Sequence, residues 1–589
     1  MRRRAGQPPR GRTAAVRALR HGARLPGGLP GTRPPAGPAP PGGRSLRRAS
    51  RGAGRQGSDR SAAAGRAGRA GRRHAGTGDA RWPLQRCTVG GIRGCRRHPP
   101  GRPDPGGPAA PARTRACRGG TQARPVNPLV WFRRDLRLQD NPALDAALAT
   151  GKPVHAVYVR PDDPASPLAE GEAARCYLHH SLLSLQRRLA AAGVKLQLCR
   201  GKPAVLLPAL CRQLGARAVY CNRIVDPRIE RLDDATAQCL EADGACLYRH
   251  DDDCLLMPEA GLKADGTPYR VFTPFWRNLR LRMTETPWQA RLLPAPAKGR
   301  RLATVADPQA VQTLGLLPAH PWHEELLQHW EAGEPRALDR LDHFLAEGVA
   351  HYETERDYPD RDGTSRLSPA LHFGEIAAVR VHALILQALE SEADAGVRRS
   401  LQRFHSEIGW RDFARHVLHA FPDTVTRSLA PLFERPGMWL PDPGGRGLRA
   451  WQRGETGCEL VDAGMRQLWR SGWMHNRVRM VAASFLTKNL GIHWREGAHW
   501  FRRCLVDADD ASNTLGWQWV AGCGTDAAPY FRIFNPDTQA RRYDPHGRYR
   551  RQWLGERTPV PPLVDLRLSR ARALERYRQT RDSTGYGQD

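Results

Sequence analysis

Lysine and glutamate are absent from the first 125 residues of this 589-residue chain, and aromatic residues nearly so, with Trp82 standing alone. What remains is 29 Arg and three Asp, a net charge of +26, set among Gly, Pro and Ala without any hydrophobic period. Such a stretch cannot bury enough apolar surface to offset the entropy of ordering it, which excludes a folded core there. Three readings of it are open: a disordered basic tail, an organelle transit peptide (the stretch is Arg-rich and acid-poor), or an artefact of start-site assignment. Arginine without lysine is what GC-rich DNA gives when translated without selection for protein, so the artefact is favoured. Val126, just ahead of the first apolar run, is then a GTG start codon read as valine.

Other absences narrow the class further. No run of eighteen apolar residues occurs, which argues against a membrane-spanning helix. The N-terminus has no apolar h-region of a secretory signal. Thirteen cysteines are scattered with no CxxC pair and no Cys/His cluster of zinc spacing, so no metal site is expected. That usage fits a reducing compartment, and a cytoplasmic monomer is expected. The formal charge of +33 suggests a polyanionic partner, but the residues after 125 hold 63 basic and 56 acidic side chains, a net of only +7. A nucleic-acid partner must therefore be argued from local patches.

What is present is ordered in two styles. From 126 to 253, short apolar runs (Leu129–Phe132, Val154–Val159, Val194–Leu198, Ala218–Cys221) alternate with helical spacing over Ala173–Ala192 and Pro203–Leu214. This predicts a doubly wound parallel α/β domain. Residues 254–320, rich in Pro and Arg, read as a connector. From 321 to 589 helical periodicity dominates, which predicts a second, all-helical domain.

Nine of the sixteen tryptophans lie between 410 and 519. Most are expected to be core. Arginine, asparagine and acids lie beside them, however, and aromatics interleaved with Arg suit a flat ring or an unstacked base. Glu407, Trp410 and Arg411 stand at i, i+3 and i+4, which puts a carboxylate, an indole and a guanidinium on one helix face. Asn476, Arg479 and Met480 share a face by the same spacing. Gly363-Thr-Ser-Arg-Leu-Ser-Pro369 sets hydroxyls and an arginine before a predicted helix start, a capping signal and a potential phosphate cradle.

Four blocks in order, Leu129-VWFRRDLRLQDN-Pro142, Gly363-TSRLSP-Ala370, Thr456-GCELVDAGMRQLWRSGWMHNRVRM-Val481 and Gly516-WQWVAGCGTDAAPYFRIFNP-Asp537, resemble the photolyase/cryptochrome family. The resemblance covers about 127 to 568 and is closest to class I cyclobutane pyrimidine dimer photolyases. It implies light-driven repair of UV-damaged DNA, a carbon–carbon lyase reaction, with FAD in the helical domain. It also implies an antenna chromophore in the α/β domain, most often methenyltetrahydrofolate and in some members a deazaflavin. Tyr220-CNRIVDPRIER-Leu232 departs from the folate-binding pattern, which leaves the antenna open.

By match to the family's motifs, Tyr352, Thr364, Ser365, Arg366, Leu367, Ser368, Phe404, Asp507, Ala508, Asp509 and Asn513 are expected to contact FAD, Asn513 at the flavin's reactive nitrogen. Arg356, Glu407, Trp410, Arg411, Asn476, Arg477, Val478, Met480, Trp519 and Gln539 are expected at the dimer or its flanking phosphates. Glu407 would hydrogen-bond the dimer carbonyl and stabilise charge there. Trp517, Trp494 and Trp439 match a line of tryptophans that carries electrons to the flavin, although the loop from Met438 to Arg449 is longer than the family's pattern. A (6-4) photolyase would carry two histidines where His475-Asn476 stands, and a cryptochrome-type receptor would add a long C-terminal tail.

Overall fold

The computed structural model describes residues 127–295, 311–556 and 560–583. The readings of residues 1–125 lie outside them. Strands β1 (Asn127–Phe132), β2 (His155–Arg160), β3 (Leu196–Arg200), β4 (Ala216–Asn222) and β5 (Cys246–His250) form one parallel sheet in the order β3-β2-β1-β4-β5. β1 is a continuous apolar run because both its faces are covered. Val130 and Phe132 join one core, and Leu129 and Trp131 join another on the opposite face. Helices α1 (Pro142–Ala149), α2 (Glu172–Ala191), α3 (Pro203–Leu214) and α4 (Pro227–Ala242) supply that cover. α1 and α4 start as their sequences dictate: a side-chain oxygen of Asn141 or Asp226 accepts a first-turn N–H, and proline follows at the first helical position.

Beyond the sheet the chain is helical: α5 (Phe272–Glu285), α6 (Trp322–Leu327), α7 (Glu334–His343), α8 (Tyr352–Glu355), α9 (Ser368–His372), α10 (Ala378–Ser391), α11 (Ala395–Ala420), α12 (Arg446–Arg453), α13 (Glu459–Ser471), α14 (Asn476–Ser484), α15 (Trp494–Cys504), α16 (Asp510–Ala521), α17 (Pro536–Tyr543), α18 (Arg548–Leu554) and α19 (Leu566–Asp582). Among the described residues, no helix is long and apolar enough to cross a membrane. Two features depart from the sequence expectation. β5 was not foreseen, and residues 254–320 are more than a connector, because they carry α5, whose buried Phe272, Phe275, Leu279 and Met283 pack it onto α11.

The α/β and helical regions are laced by buried charge. Arg137 donates to Asp252 at 2.5 Å and to the Gly374 carbonyl at 3.0 Å. Asp140 takes two bonds from Arg380, at 2.8 and 2.7 Å. Much of the first sequence block thus serves the joint between regions. Glu375, fully buried, accepts from the Tyr177 hydroxyl at 2.7 Å and from Gly333 N–H at 2.6 Å.

Burial pushes the Glu375 carboxyl up from 4.5 to about 7. Between those values the folded state binds more proton than the unfolded chain. The stabilisation from a protonated Glu375 is therefore complete at low pH and is lost as pH rises through about 7. Glu375→Gln is expected to flatten the fall in unfolding free energy over that window by on the order of 3 kcal/mol. Denaturant unfolding at a series of pH values checks this, and an unchanged slope in the variant contradicts it.

Candidate functional site

The first wall of the site is α11. One face presents Phe404, Glu407 and Trp410, as the i, i+3, i+6 spacing requires. Phe404 is buried, its ring tilted against Phe344 at 4.7 Å and edge-on to Tyr352 at 5.7 Å. Glu407 accepts from Arg356 at 2.6 Å, and the same guanidinium nitrogen lies 3.1 Å from the Tyr352 hydroxyl. Trp410 stacks on Phe272 with ring centroids 3.8 Å apart and planes 9° from parallel. Trp276 continues that row beyond Phe272 at 6.3 Å. Gly409 makes the row possible: a Cβ there would fall 2.3 Å from the Trp276 ring. Phe272 and Trp276 were missed from sequence. The signal was present, since Phe272-Thr-Pro-Phe-Trp is an aromatic cluster inside the connector, but Pro274 masked its helix.

The second wall is built from α14 and α16 and the turns before them. Arg479 bonds Asp507 at 3.0 Å, and Asp509 caps α16 by accepting from Ser512 N–H at 2.8 Å. Arg415, one turn beyond Arg411 on α11, reaches Asp509 at 3.1 Å and Asp253 at 2.8 Å. Arg415, joined by Arg411 at Asp253, holds the Asp253 and Asp509 carboxyls far below the usual carboxylate range despite their burial. Asn513 donates to the Ala498 carbonyl at 3.0 Å. The Thr364–Ser368 segment is joined to this wall through Trp473, whose ring lies 5.3 Å from the Arg366 guanidinium and 6.0 Å from that of Arg479. Arg366 adopts the left-handed region, φ 49°, where the segment turns into α9 at Ser368.

Other expected residues fall as follows. Arg477 pairs with Asp357 at 2.7 Å and lies over Tyr543 at 4.5 Å. Asn476 is exposed, Met480 and Trp519 are half-buried, and Trp519 lies parallel to Phe534 at 6.4 Å. Gln539 is half-buried on α17, its Oε1 without a hydrogen-bond partner. Two expectations need correction. Val478 is wholly buried against Gly464, because it lies about 200° round α14 from Asn476, and it cannot touch DNA. Arg411 donates to Asp253 at 2.7 Å and to the Leu371 carbonyl at 3.4 Å, so its guanidinium is engaged by the protein itself. Leu367 and Ala508 also bury their side chains and offer a ligand only backbone.

The three tryptophans expected to form an electron line all pack in or against one core of the helical region. Trp517 and Trp494 are buried in one cluster, and glycine at 497 admits Trp517, whose ring would lie 2.0 Å from a Cβ there. Trp494 donates to Ser428 Oγ at 2.9 Å. His493 spans from Trp494 (5.7 Å) to Trp439 (4.7 Å), and Trp439 is half-buried and donates to the Phe433 carbonyl at 2.6 Å.

Two family descriptions match the chain: DNA photolyase over residues 128–297, and FAD binding domain of DNA photolyase over residues 404–564. A deoxyribodipyrimidine photo-lyase of Agrobacterium fabrum is 42% identical over 433 residues, 73% of this chain and 87% of that protein. The chain belongs to the DNA photolyase family. Among solved structures, a bacterial class III photolyase from Agrobacterium tumefaciens is 38% identical, covering 78% of this chain and 99% of its own, with a TM-score of 0.70. A Synechocystis cryptochrome is 28% identical, covering 76% and 99%, with a TM-score of 0.65.

The site residues suit the FAD of this family. A dinucleotide needs cations for its phosphates, acceptors for its ribose and flavin N–H groups, and flat apolar walls. Arg366 and Arg479 are cations, Thr364, Ser365 and Ser368 carry hydroxyls, Asp507 and Asp509 carry carboxyl groups, and Phe404 is a buried flat ring, the chemistry such a group needs. The Trp517 indole N–H is buried with no protein partner.

Proposed function

We propose that this DNA photolyase family member repairs cyclobutane pyrimidine dimers in UV-damaged DNA, using light and bound FAD. The observation that carries this reading is the group on α11, where the Glu407–Arg356 pair stands beside the stacked face of Trp410 and Phe272. Reduced FAD, held by Arg366, Arg479, Asp507, Asp509 and Phe404, would supply the light-excited one-electron donor. The chain's own residues bind and orient. Trp410, backed by Phe272, offers a rigid aromatic surface to a dimer flipped out of the duplex. Glu407 and Arg356 face its carbonyl edge, where negative charge develops, and the Arg356 guanidinium, held by Glu407, is a donor there. Asn476 and Gln539 would touch the lesion or flanking phosphates, together with Arg477, which Asp357 holds. Phe531, 67% exposed in the loop after α16, is suited to fill the gap left in the stack.

We assign residues 126–253 as the antenna domain and 321–589, with α5, as the FAD and repair domain. Near the end of β2 a cavity of about 370 Å³ is lined by Arg160, Arg175, Glu170, His499 and Arg502. Its size is within the range of ligand pockets, and its arginines suit an anionic chromophore such as a folate with its carboxylates. For the subgroup, a second reading competes with class I: the 38% identity to the class III photolyase across nearly all of that structure supports class III.

The test is lesion choice. Oligonucleotides carrying one cis-syn thymine dimer, one (6-4) product or no damage are titrated in the dark. The dimer is expected to bind at least about a hundredfold more tightly than undamaged duplex, since a poorly stacked lesion flips at less cost. Preference for the (6-4) product would favour that lyase instead, and no preference a receptor role.

A further inference from the structure

The Trp439 end of the tryptophan line carries a surface that lesion repair does not use. It is made by the loop from Met438 to Gly445 and the first turn of α12, the chain turning on Gly444 and Gly445, both in the left-handed region at φ 66° and 63°. Asp442 fixes the far end by accepting from Gly447 and Leu448 N–H at 3.0 and 2.8 Å. The near end is pinned twice: the Met438 carbonyl accepts from Arg576 of α19 at 3.0 Å, and Leu440 N–H donates to Gly491 at 2.8 Å. Leu440, beside Trp439, is nevertheless 45% exposed.

Around this apolar spot the charge is one-sided in what it leaves open. Arg435, Arg446 and Arg449 are exposed, and none is ion-paired with a described residue. Of the nearby acids, Asp442 is engaged in its cap and Glu434 with Ser428 N–H at 2.7 Å and His493 at 3.9 Å, which leaves Glu496, one turn beyond His493, as the exposed one. α19 adds an exposed Arg572 one turn before Arg576. An aromatic electron port with an exposed leucine beside it and unpaired guanidinium groups around it is the surface a transient electron-transfer partner needs: small, partly apolar and of one sign.

We propose that this face docks an acidic redox protein carrying an iron–sulfur one-electron donor, which re-reduces Trp439 after light has drawn an electron inward. The proposal rests on the reading of Trp517, Trp494 and Trp439 as the electron line. A protein is favoured over a small anion because the arginines are spread over a turn and two helices, and because the leucine offers apolar contact. One electron leaves the cluster, whose iron goes from ferrous to ferric, and Trp439 returns to its closed-shell state. No bond forms or breaks.

The experiment uses the holoprotein with oxidised FAD, blue light, and reduced plant-type ferredoxin as the acidic probe, with the neutral thiol dithiothreitol as comparison. The light-dependent rate with ferredoxin is expected to fall about tenfold when salt rises from about 50 to about 300 mM, because screening removes electrostatic steering. A similar loss is expected in the Arg446→Glu/Arg449→Glu double variant, while the thiol rate changes less than about twofold. Binding of redox-inert gallium-substituted ferredoxin, followed by NMR line broadening, should weaken in parallel. A ferredoxin rate indifferent to both salt and charge reversal overturns the docking face. Trp517→Phe separates the two layers. If it abolishes thiol-driven photoreduction while the ferredoxin effects are missing, docking alone fails; if photoreduction survives it, the electron line fails and the docking proposal with it.

Discussion

Replacing Glu407 by alanine is expected to lower the quantum yield of dimer repair about tenfold while leaving FAD content unchanged. Glu407 lies on the rim of the site with its carboxylate partly open to solvent, so truncation removes a group that meets substrate rather than one that supports the fold. Its loss leaves Arg356 with the Tyr352 hydroxyl as remaining partner, at 3.1 Å. A preorganised donor at a developing oxyanion contributes roughly a hundredfold in enclosed sites, and a half-open one less. Glu407→Gln keeps an N–H donor and should recover much of the loss. Steady-state repair under limiting light, with flavin absorbance as the control for cofactor, checks both variants. Unchanged repair in Glu407→Ala removes Glu407 from the mechanism.

Trp517→Phe is expected to slow photoreduction of oxidised flavin by well over about tenfold, while enzyme reduced chemically beforehand repairs normally. Phenylalanine is far harder to oxidise than tryptophan, so the line is broken at its inner end. The fold should tolerate the change better than at Trp494. The Trp517 indole N–H has no protein partner, so removing it orphans no protein group, whereas Trp494→Phe would leave Ser428 Oγ without its bond at 2.9 Å. The edge-on contacts of residue 517 with Phe501 at 5.0 Å and Trp451 at 6.0 Å are of a kind that a phenyl ring can also make. Transient absorption after a flash reads the first step directly, and normal photoreduction in the variant would show another electron route.

Much of the fold was legible in the sequence because burial writes itself into periodicity. The helix expected over Ala173–Ala192 is α2, Glu172–Ala191, and Pro203–Leu214 is α3 to the residue, set by a leading proline and a left-handed Gly215 at its end. β5 was not legible. It is a half-exposed edge strand whose Cys-Leu-Tyr-Arg-His sequence neither alternates cleanly nor forms an apolar run. α5 was hidden by Pro274 and by an arginine-rich outer face, although its buried positions at 272, 275, 279 and 283 keep helical spacing.

At the site, the residues on α11 could be grouped from spacing alone, since Glu407 and Trp410 share a face. Arg411 could not be placed that way. A long guanidinium side chain goes to the charge within reach, and Asp253, 158 positions earlier, arrives only with the fold. The same limit applies to Arg415, which bridges Asp253 and Asp509. Val478 was misplaced by reading a block rather than a helix face.

Light-dependent repair tests the central claim most directly. Protein with chemically reduced flavin is mixed with UV-damaged oligothymidine and held in blue light or in darkness while thymine absorbance is followed. Recovery of absorbance in light alone is the predicted result. No recovery in light, with FAD bound and reduced, would contradict dimer repair as the activity of this site.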